Sequence, residues 1–412
     1  MTLFDFFQAE ELPVPAITPT QAREIARTHF GVDADVTPLG SQQDANFLIS
    51  GPGGEPIGVL KIANPAFSRI ELEAQDAAAS YISQTESGVR AATNLEPPGH
   101  PPIAELRADD GTVLYARIIS YLSGGTMSGA QYVTPDRAAA LGTLAGRTCR
   151  ALAGFEHPGV DRILQWDLRY ALRTVEVLAP HVTDTHRRDA VEAATAAAWR
   201  IVADLGDDLP IQVIHGDITD DNVVCSTLET GRMPDGIIDL GDLTRSWPVA
   251  ELAVAVSSLL RHEGGEPAAT LPAIAAFGAV RPLGPAEVEA LWPLVVLRAA
   301  VLVVSGIHQA SIDADNEYAT GALDDEWGIF QRATAVPMEV MTAQIRHKLG
   351  VAHQAEPVVP ETPLVAGLDR VARLDLSVES DAMDSGVWLN PDAEQSLATA
   401  ALGDGASAVV TV

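Results

Sequence analysis

Over the first 120 residues, apolar side chains alternate with polar ones in short runs, and from residue 135 onward they recur at every third and fourth position. Alternation marks half-buried strands, and the longer spacing marks helices with one buried face. The strand-like runs are Val36–Leu39, Ala45–Ile49, Ile57–Ile62, Ile103–Glu105 and Leu114–Ser120. Pro52-Gly53-Gly54 turns the second run into the third, and Asp109-Asp110-Gly111 turns the fourth into the fifth. A helix is predicted over Thr18–Phe30, with Thr18 as cap and Pro19 in the first turn, and another over the alanine-rich Glu71–Ser83. Together these make a small α+β lobe ending near Tyr121.

The remainder reads as mainly helical. Predicted helices are Asp136–Leu152, Gln165–Leu178, Arg187–Leu205, Val249–Leu260, Pro285–Ile307 and Trp327–Leu349. Three short strands interrupt them: Gln212–Ile214, Asn222–Cys225 and Gly236–Ile238. The division is a lobe over 1–120 and a helical lobe over 121–350. Residues 351–412 are expected to be a linker or the start of a further domain. Ala355–Pro363 is rich in proline and glutamate, and the last fifty residues are acidic and weakly periodic.

Composition narrows the partners. The 412 residues are 47% hydrophobic and 5% aromatic, enough to bury the core of two or three domains. A formal charge of −30 argues against nucleic acid or an anionic membrane, both of which need basic surface. Any bound nucleotide therefore needs local cations or a metal. Cys149 and Cys225 lie far apart without metal-ligand spacing, so no disulfide framework is expected and a reducing cytoplasm fits. Residues Met1–Glu11 lack the basic start of a secretory signal. Leu291–Gly306 is the most apolar run. Interrupted by Pro293 and Arg298, it reads as a buried helix, too short for a membrane span.

The chemistry concentrates in two stretches, His215-Gly216-Asp217 with Asn222 five residues on, and Ile237-Ile238-Asp239-Leu240-Gly241-Asp242. An aspartate in a loop after an apolar strand can accept or orient a hydroxyl proton. An asparagine and a second aspartate are hard oxygen ligands for the magnesium that neutralises triphosphate charge. A protein kinase spells the same parts His-Arg-Asp-x-x-x-x-Asn and Asp-Phe-Gly. A hydrolase using Asp217 and Asp239 alone would explain neither Asn222 nor Lys61. Lys61 stands on an apolar strand, where an isolated lysine is ordinarily an edge residue facing water. Before a helix bearing Glu71 and Glu73, it reads instead as a phosphate-facing lysine held by one of those carboxylates. His215 is expected to bond backbone. Asp220 and Asp221 read as solvated loop charges, and Trp247, Tyr318 and Trp327 as core aromatics. Leu39–Asn46 sits where a phosphate-covering hairpin would be, with one glycine in place of three.

These residues resemble the aminoglycoside phosphotransferase and choline kinase superfamily. The resemblance rests on Val59-Leu60-Lys61, Glu73-Ala74-Gln75, His215-Gly216-Asp217 with Asn222, and Ile237–Asp242. Trp166-Asp167-Leu168, Leu252–Leu260 and Asp315-Asn316-Glu317-Tyr318 are most similar to its hydroxylysine-kinase-like branch, which also occurs fused ahead of class-III pyridoxal-phosphate aminotransferases. The resemblance spans roughly residues 18–348. It implies a bilobal, protein-kinase-like α+β fold whose first lobe binds nucleotide. Asp217 is then the catalytic base, and Asn222 and Asp239 are magnesium ligands. Lys61 and Glu73 form the phosphate-positioning pair, and Ser120, Tyr121 and Leu122 an adenine hinge. Glu251 replaces the more usual aspartate that braces the catalytic loop, and Leu240 the usual phenylalanine. The implied activity is transfer of the γ-phosphoryl of magnesium ATP or GTP to the hydroxyl of an amino alcohol, hydroxy-amino acid or aminoglycoside-like acceptor. A cationic acceptor suits an acidic pocket. The alternative is a non-catalytic nucleotide-sensing or structural module beside a fused aminotransferase.

Overall fold

The computed structural model describes residues 3–351 except 9–11, 42, 109, 130–131, 229–230 and 313–321. The expected extension over 351–412 lies, from residue 352, outside the described residues, as does Tyr318.

Helix α1, Pro19–Phe30, begins at a capping box in which Thr18 Oγ1 accepts the Gln21 N–H and Gln21 Oε1 accepts the Thr18 N–H. It stops at Gly31, whose φ of 66° is left-handed. There follow β1 (Asp35–Leu39), β2 (Ala45–Ser50), β3 (Pro56–Ile62), α2 (Arg69–Thr85), β4 (Arg90–Ala91), β5 (Ala104–Arg107) and β6 (Val113–Ser120). Five of the strands form an antiparallel sheet in the order β1-β2-β3-β6-β5. Because side chains alternate between faces, Phe47, Ile49, Leu60, Ile62, Ala116 and Ile118 pack with Ala22, Ala26 and Phe30 of α1 in one core. The other face carries the cross-strand row Asn46, Lys61 and Arg117. One face builds the lobe and the other is left for chemistry.

The larger lobe begins with α3 (Pro135–Leu152), α4 (Ala171–Leu178) and α5 (Thr185–Leu205). The predicted helix over Gln165–Leu178 starts later, because Asp167 caps a short 3₁₀ turn at Leu168–Tyr170. Strands β7 (Gln212–Ile214), β8 (Val223–Leu228), β9 (Gly231–Ile237) and β10 (Thr244–Ser246) come next. The β8–β9 hairpin is longer than the sequence suggests, since Pro234 disguises β9 and a bulge at Val224/Cys225 absorbs the irregularity. Helices α6 (Pro248–Leu259), α7 (Leu271–Val280) and α8 (Pro285–Ile312) follow. Nearly every residue of α7 is apolar, so it lacks the polar contrast that reveals a helix in sequence. The single helix expected over Trp327–Leu349 is two, Leu323–Ala333 and Met338–Lys348, broken at Pro337, which cannot donate to the preceding turn.

Helix α8 is 28 residues long and apolar enough to cross a membrane, longer than the run its sequence suggested. It is instead the axis of the lobe: 89% of its most apolar window is buried, with α4, α5, α6 and Leu323–Ala333 packed around it. Trp292 is fully buried on it, and its indole N–H donates to the Ala333 carbonyl at 3.1 Å.

Candidate active site

Two small sheets aim the loops. β7 pairs antiparallel with β10, and β9 pairs with β8 on one side and parallel with β4 on the other. The Asp217 loop leaves β7 and returns as β8, and the Asp239 loop leaves β9 and returns as β10. Gly216 makes the first turn with φ of 83°, and any side chain there would meet the Asp242 carbonyl. His215 is fully buried; its Nε2–H donates to the Ile238 carbonyl at 3.1 Å and its Nδ1 accepts the Asp217 N–H at 3.3 Å. Burial pushes the imidazole down to about 4, so it ties the loops together as a neutral ring. This is the backbone role expected of it. Glu251, in the first turn of α6, accepts the N–H groups of His215 at 2.7 Å and Gly216 at 3.2 Å, and so braces the loop from below.

Asp217 is gripped at both oxygens. Oδ1 accepts from Arg298 Nη2 at 2.9 Å and Oδ2 from Asn222 Nδ2 at 2.6 Å. Burial pushes its carboxyl up to about 6 against the pull of Arg298. Asp242 is likewise raised, by burial and then by the charge of Asp217. Asp239 is different. Burial opposes its ionisation, yet Lys61 Nζ at 2.8 Å and the Gly241 N–H at 3.1 Å hold the carboxyl down to about 2. Its φ of 58° is unusual for a residue with a side chain, and strain of that kind gathers at functional sites. With Asn222 Nδ2 committed to Asp217, its Oδ1 remains as an acceptor. That oxygen and the ionised Asp239 are hard donors on one cleft, a set that fits magnesium.

The cleft has a volume of about 750 Å³, and its walls include Lys61, Ser120, Tyr121, Leu122, Asp217, Asn222 and Asp239. Glu73 is not brought to it. Glu73 is half-exposed and pairs with Arg69 one turn back on α2, at 2.9 Å. Glu71 is spent on its own helix end, where its carboxylate accepts the N–H groups of Ser68 and Phe4. Lys61 is held by Asp239 and, at 3.8 Å, by Asp44 of the β1–β2 hairpin. The cleft side of α2 presents Gln75, which accepts from Arg117, and Arg117 also donates to Asp76 at 2.6 Å. The sheet cation paired with a carboxylate of α2 is therefore Arg117 with Asp76, in place of the predicted Lys61 with Glu73.

Other participants lie outside the two motifs, among them Arg261, His262 and Arg298, whose roles the sequence leaves undecided. Arg298 lies under the site with its guanidinium 4.7 Å from the ring centre of Trp166; its signal was a lone charge within an apolar run. Asp220 is buried against His262 at 3.0 Å, not solvated, and Asp221 meets Arg261 at 3.1 Å. Arg261 also reaches Asp325 at 3.0 Å. Arg162, fully buried, donates to the carbonyls of Gly241 and Leu243 and fixes the Asp239 loop. Trp247 is core, as expected, and Trp327 stacks on Phe330.

Residues 35–290 match the family model described as "Phosphotransferase enzyme family". The chain is 22% identical over 331 residues to hydroxylysine kinase of Mus musculus, covering 76% of this chain and 87% of that protein. Against hydroxylysine kinase of Bos taurus it is 23% identical over 337 residues, covering 77% and 89%. Among solved structures, the microcompartment-associated aminopropanol kinase superposes with a TM-score of 0.61 at 17% identity, over 79% of this chain and 99% of that one. Amicoumacin kinase in complex with AMP-PNP, Ca2+ and Ami gives a TM-score of 0.52 at 14% identity, over 74% and 91%. The structural likeness is one of fold.

Proposed function

The chain belongs to the phosphotransferase enzyme family, and from that premise we propose that it transfers the γ-phosphoryl group of ATP or GTP to the hydroxyl of a small amino alcohol or hydroxy-amino acid. It is a small-molecule kinase acting on a hydroxyl group. The observation that carries the finer reading is the convergence of Lys61, Asp239, Asn222 and Asp217 on one cleft, with Asp217 held at both oxygens.

In this reading the nucleotide lies under the β1–β2 hairpin, its base near Ser120–Leu122 and its phosphates at Lys61. Asn222 and Asp239 would hold magnesium, which when bound supplies charge neutralisation along the triphosphate. Asp217 accepts a hydrogen bond from the acceptor hydroxyl and fixes that oxygen in line with the γ-phosphorus. As the new P–O bond forms and the bond to the β-phosphate oxygen breaks, the hydroxyl proton passes to Asp217. Arg298 and Asn222 hold the carboxylate still, so the protein's contribution is mainly positioning and electrostatics. The wall beyond Asp217 carries Asp221, Asp325 and Glu326, which favours an acceptor bearing an ammonium group. Hydroxylysine and aminopropanol kinases have acceptors of that chemistry, which supports the same class here.

The test is phosphorus NMR of the protein with magnesium ATP or GTP and a panel that includes 5-hydroxylysine, 1-amino-2-propanol, ethanolamine and choline. A new phosphomonoester signal from at least one acceptor is expected. Folded protein that phosphorylates no hydroxylated amine with either nucleotide would sink the reading.

A further inference from the structure

The helix Leu323–Ala333 brings one carboxylate into the cleft in an unusual state. Glu326 is 8% exposed, lines the cleft, and its Oε2 has no hydrogen-bond partner among the described residues. Burying a carboxylate without a partner is costly, so such a group takes up a proton unless a cation or hydrogen bond compensates it. Burial pushes Glu326 up to about 8 against the pull of Arg298 and Arg261, and a bound ammonium group would return it to the ionised form. The protein's own candidates are engaged elsewhere. Arg298 donates to Asp217, and Arg261 pairs with Asp221 and Asp325. Both arginines act on Glu326 through space, Asp325 opposes them, and among the described residues neither arginine forms an ion pair with it. The recess is shaped for the carboxylate: a methyl group at Gly306 of α8 would overlap Glu326 Oε2.

The recess also has a fixed place relative to the reacting hydroxyl. Arg298, Leu302 and Gly306 follow one another at four-residue steps along one face of α8. Arg298 touches Asp217 at one end, and Gly306 backs Glu326 at the other. Eight residues of helix separate them, roughly 12 Å along its axis. Leu302 and Ile329 also line the cleft and offer apolar wall for methylenes.

Resting on the reading of this cleft as an acceptor site for hydroxylated amines, we propose that Glu326 is a subsite for a primary ammonium group separated by several methylenes from the hydroxyl that is phosphorylated. The acceptor then spans the cleft, with its oxygen at Asp217 and its nitrogen at Glu326. A vicinal amino alcohol engages one end only.

The experiment compares ω-amino-1-alkanols, from 2-aminoethanol to 6-amino-1-hexanol, with neutral 1-alkanols of equal length, in wild type, Glu326→Gln and Gly306→Ala. Both kcat/KM with magnesium ATP and calorimetric Kd are measured, and thermal unfolding checks that each variant is folded. In wild type the preference for amine over neutral alcohol should grow with chain length to at least about tenfold. It should collapse toward unity in Glu326→Gln, and also in Gly306→Ala, where the carboxylate is displaced. A length preference that survives in folded Glu326→Gln overturns the proposal, as does wild type favouring 2-aminoethanol. The chain-length series in wild type decides the matter even if a variant fails to fold. Should wild type phosphorylate nothing, the kinase reading fails by itself. Calorimetric binding of 6-amino-1-hexanol that is lost in Glu326→Gln would still support the subsite, and equal binding would overturn it.

Discussion

Lys61 Nζ meets Asp239 Oδ1 at 2.8 Å, so the lysine of the small lobe is tied to the Asp239 loop of the larger lobe and not to helix α2. With Asp239 engaged by a metal, Asp44 at 3.8 Å is the carboxylate left beside Lys61 among the described residues. Asp44→Asn should therefore raise the KM for nucleotide about tenfold, the loss of one partly buried charge partner. Glu73→Gln should leave it within about twofold, because Glu73 makes only an exposed pair with Arg69. Steady-state kinetics at varied ATP check both, and a Glu73 variant as impaired as the Asp44 variant would contradict the arrangement.

Asp217 acts in its ionised form, so kcat/KM should rise with pH through its pKa. Burial pushes that value up to about 6, and Arg298 pulls it down by favouring the charged carboxylate. The acid limb of the pH profile should accordingly fall near pH 6, above the ordinary carboxylate range. Removing the cation in Arg298→Gln should move the limb upward by about one unit. Activity then falls more at pH 6.5 than at pH 8.5. A limb that stays in place, or moves down, would show that Arg298 does not set the ionisation of Asp217.

Much of this site was legible because its residues are close in sequence and sit in loops at the ends of short strands. His215, Asp217, Asn222 and Asp239 lie within 25 residues, and their spacing alone announces the loops. The five strands of the small lobe were legible for a similar reason, since alternation is a local property. What failed needed facts that local pattern does not hold. Glu73 and Gln75 differ by two positions on α2, about 200° around the helix, and sequence alone did not fix which face meets the sheet. Arg298 and Glu326 reach the cleft from elements remote in sequence, and only the packing around α8 brings them together. Asp44 sits in a loop without periodicity, where nothing marks a side chain as buried.

Glu251 accepts two buried backbone donors, so Glu251→Ala orphans the N–H groups of His215 and Gly216. The expected loss of stability is about 2–4 kcal/mol, and Glu251→Gln, which keeps an acceptor oxygen, should lose less. Burial also pushes Glu251 up to about 8. The folded state thus holds the proton more tightly than the unfolded chain. This contribution is complete below the ordinary glutamate value and is lost as pH rises toward 8. Thermal unfolding should therefore find Glu251→Gln gaining relative to wild type between pH 5 and pH 8. A gap that is constant across that range would mean the buried carboxyl does not titrate there.

Asp239 tests the metal assignment with little risk to the fold. Its left-handed φ of 58° is one that asparagine tolerates, so Asp239→Asn should still fold. The variant's unfolding temperature without ligand should be somewhat lower because the ion pair with Lys61 is lost, and the ligand-induced shift is read against each protein's own baseline. Its carboxyl, held down to about 2, is ionised at any working pH, so the substitution removes a full charge from the magnesium donor set. Saturating magnesium ATP at about a hundredfold its Kd stabilises a binding protein by about 2.7 kcal/mol, a shift of several degrees. Wild type should show that shift, and a chelator should abolish it. Asp239→Asn should lose most of it, retaining only the metal-independent binding that Lys61 provides. Equal magnesium-dependent shifts in the two proteins would remove Asp239 from the metal site and leave Asn222 without its partner.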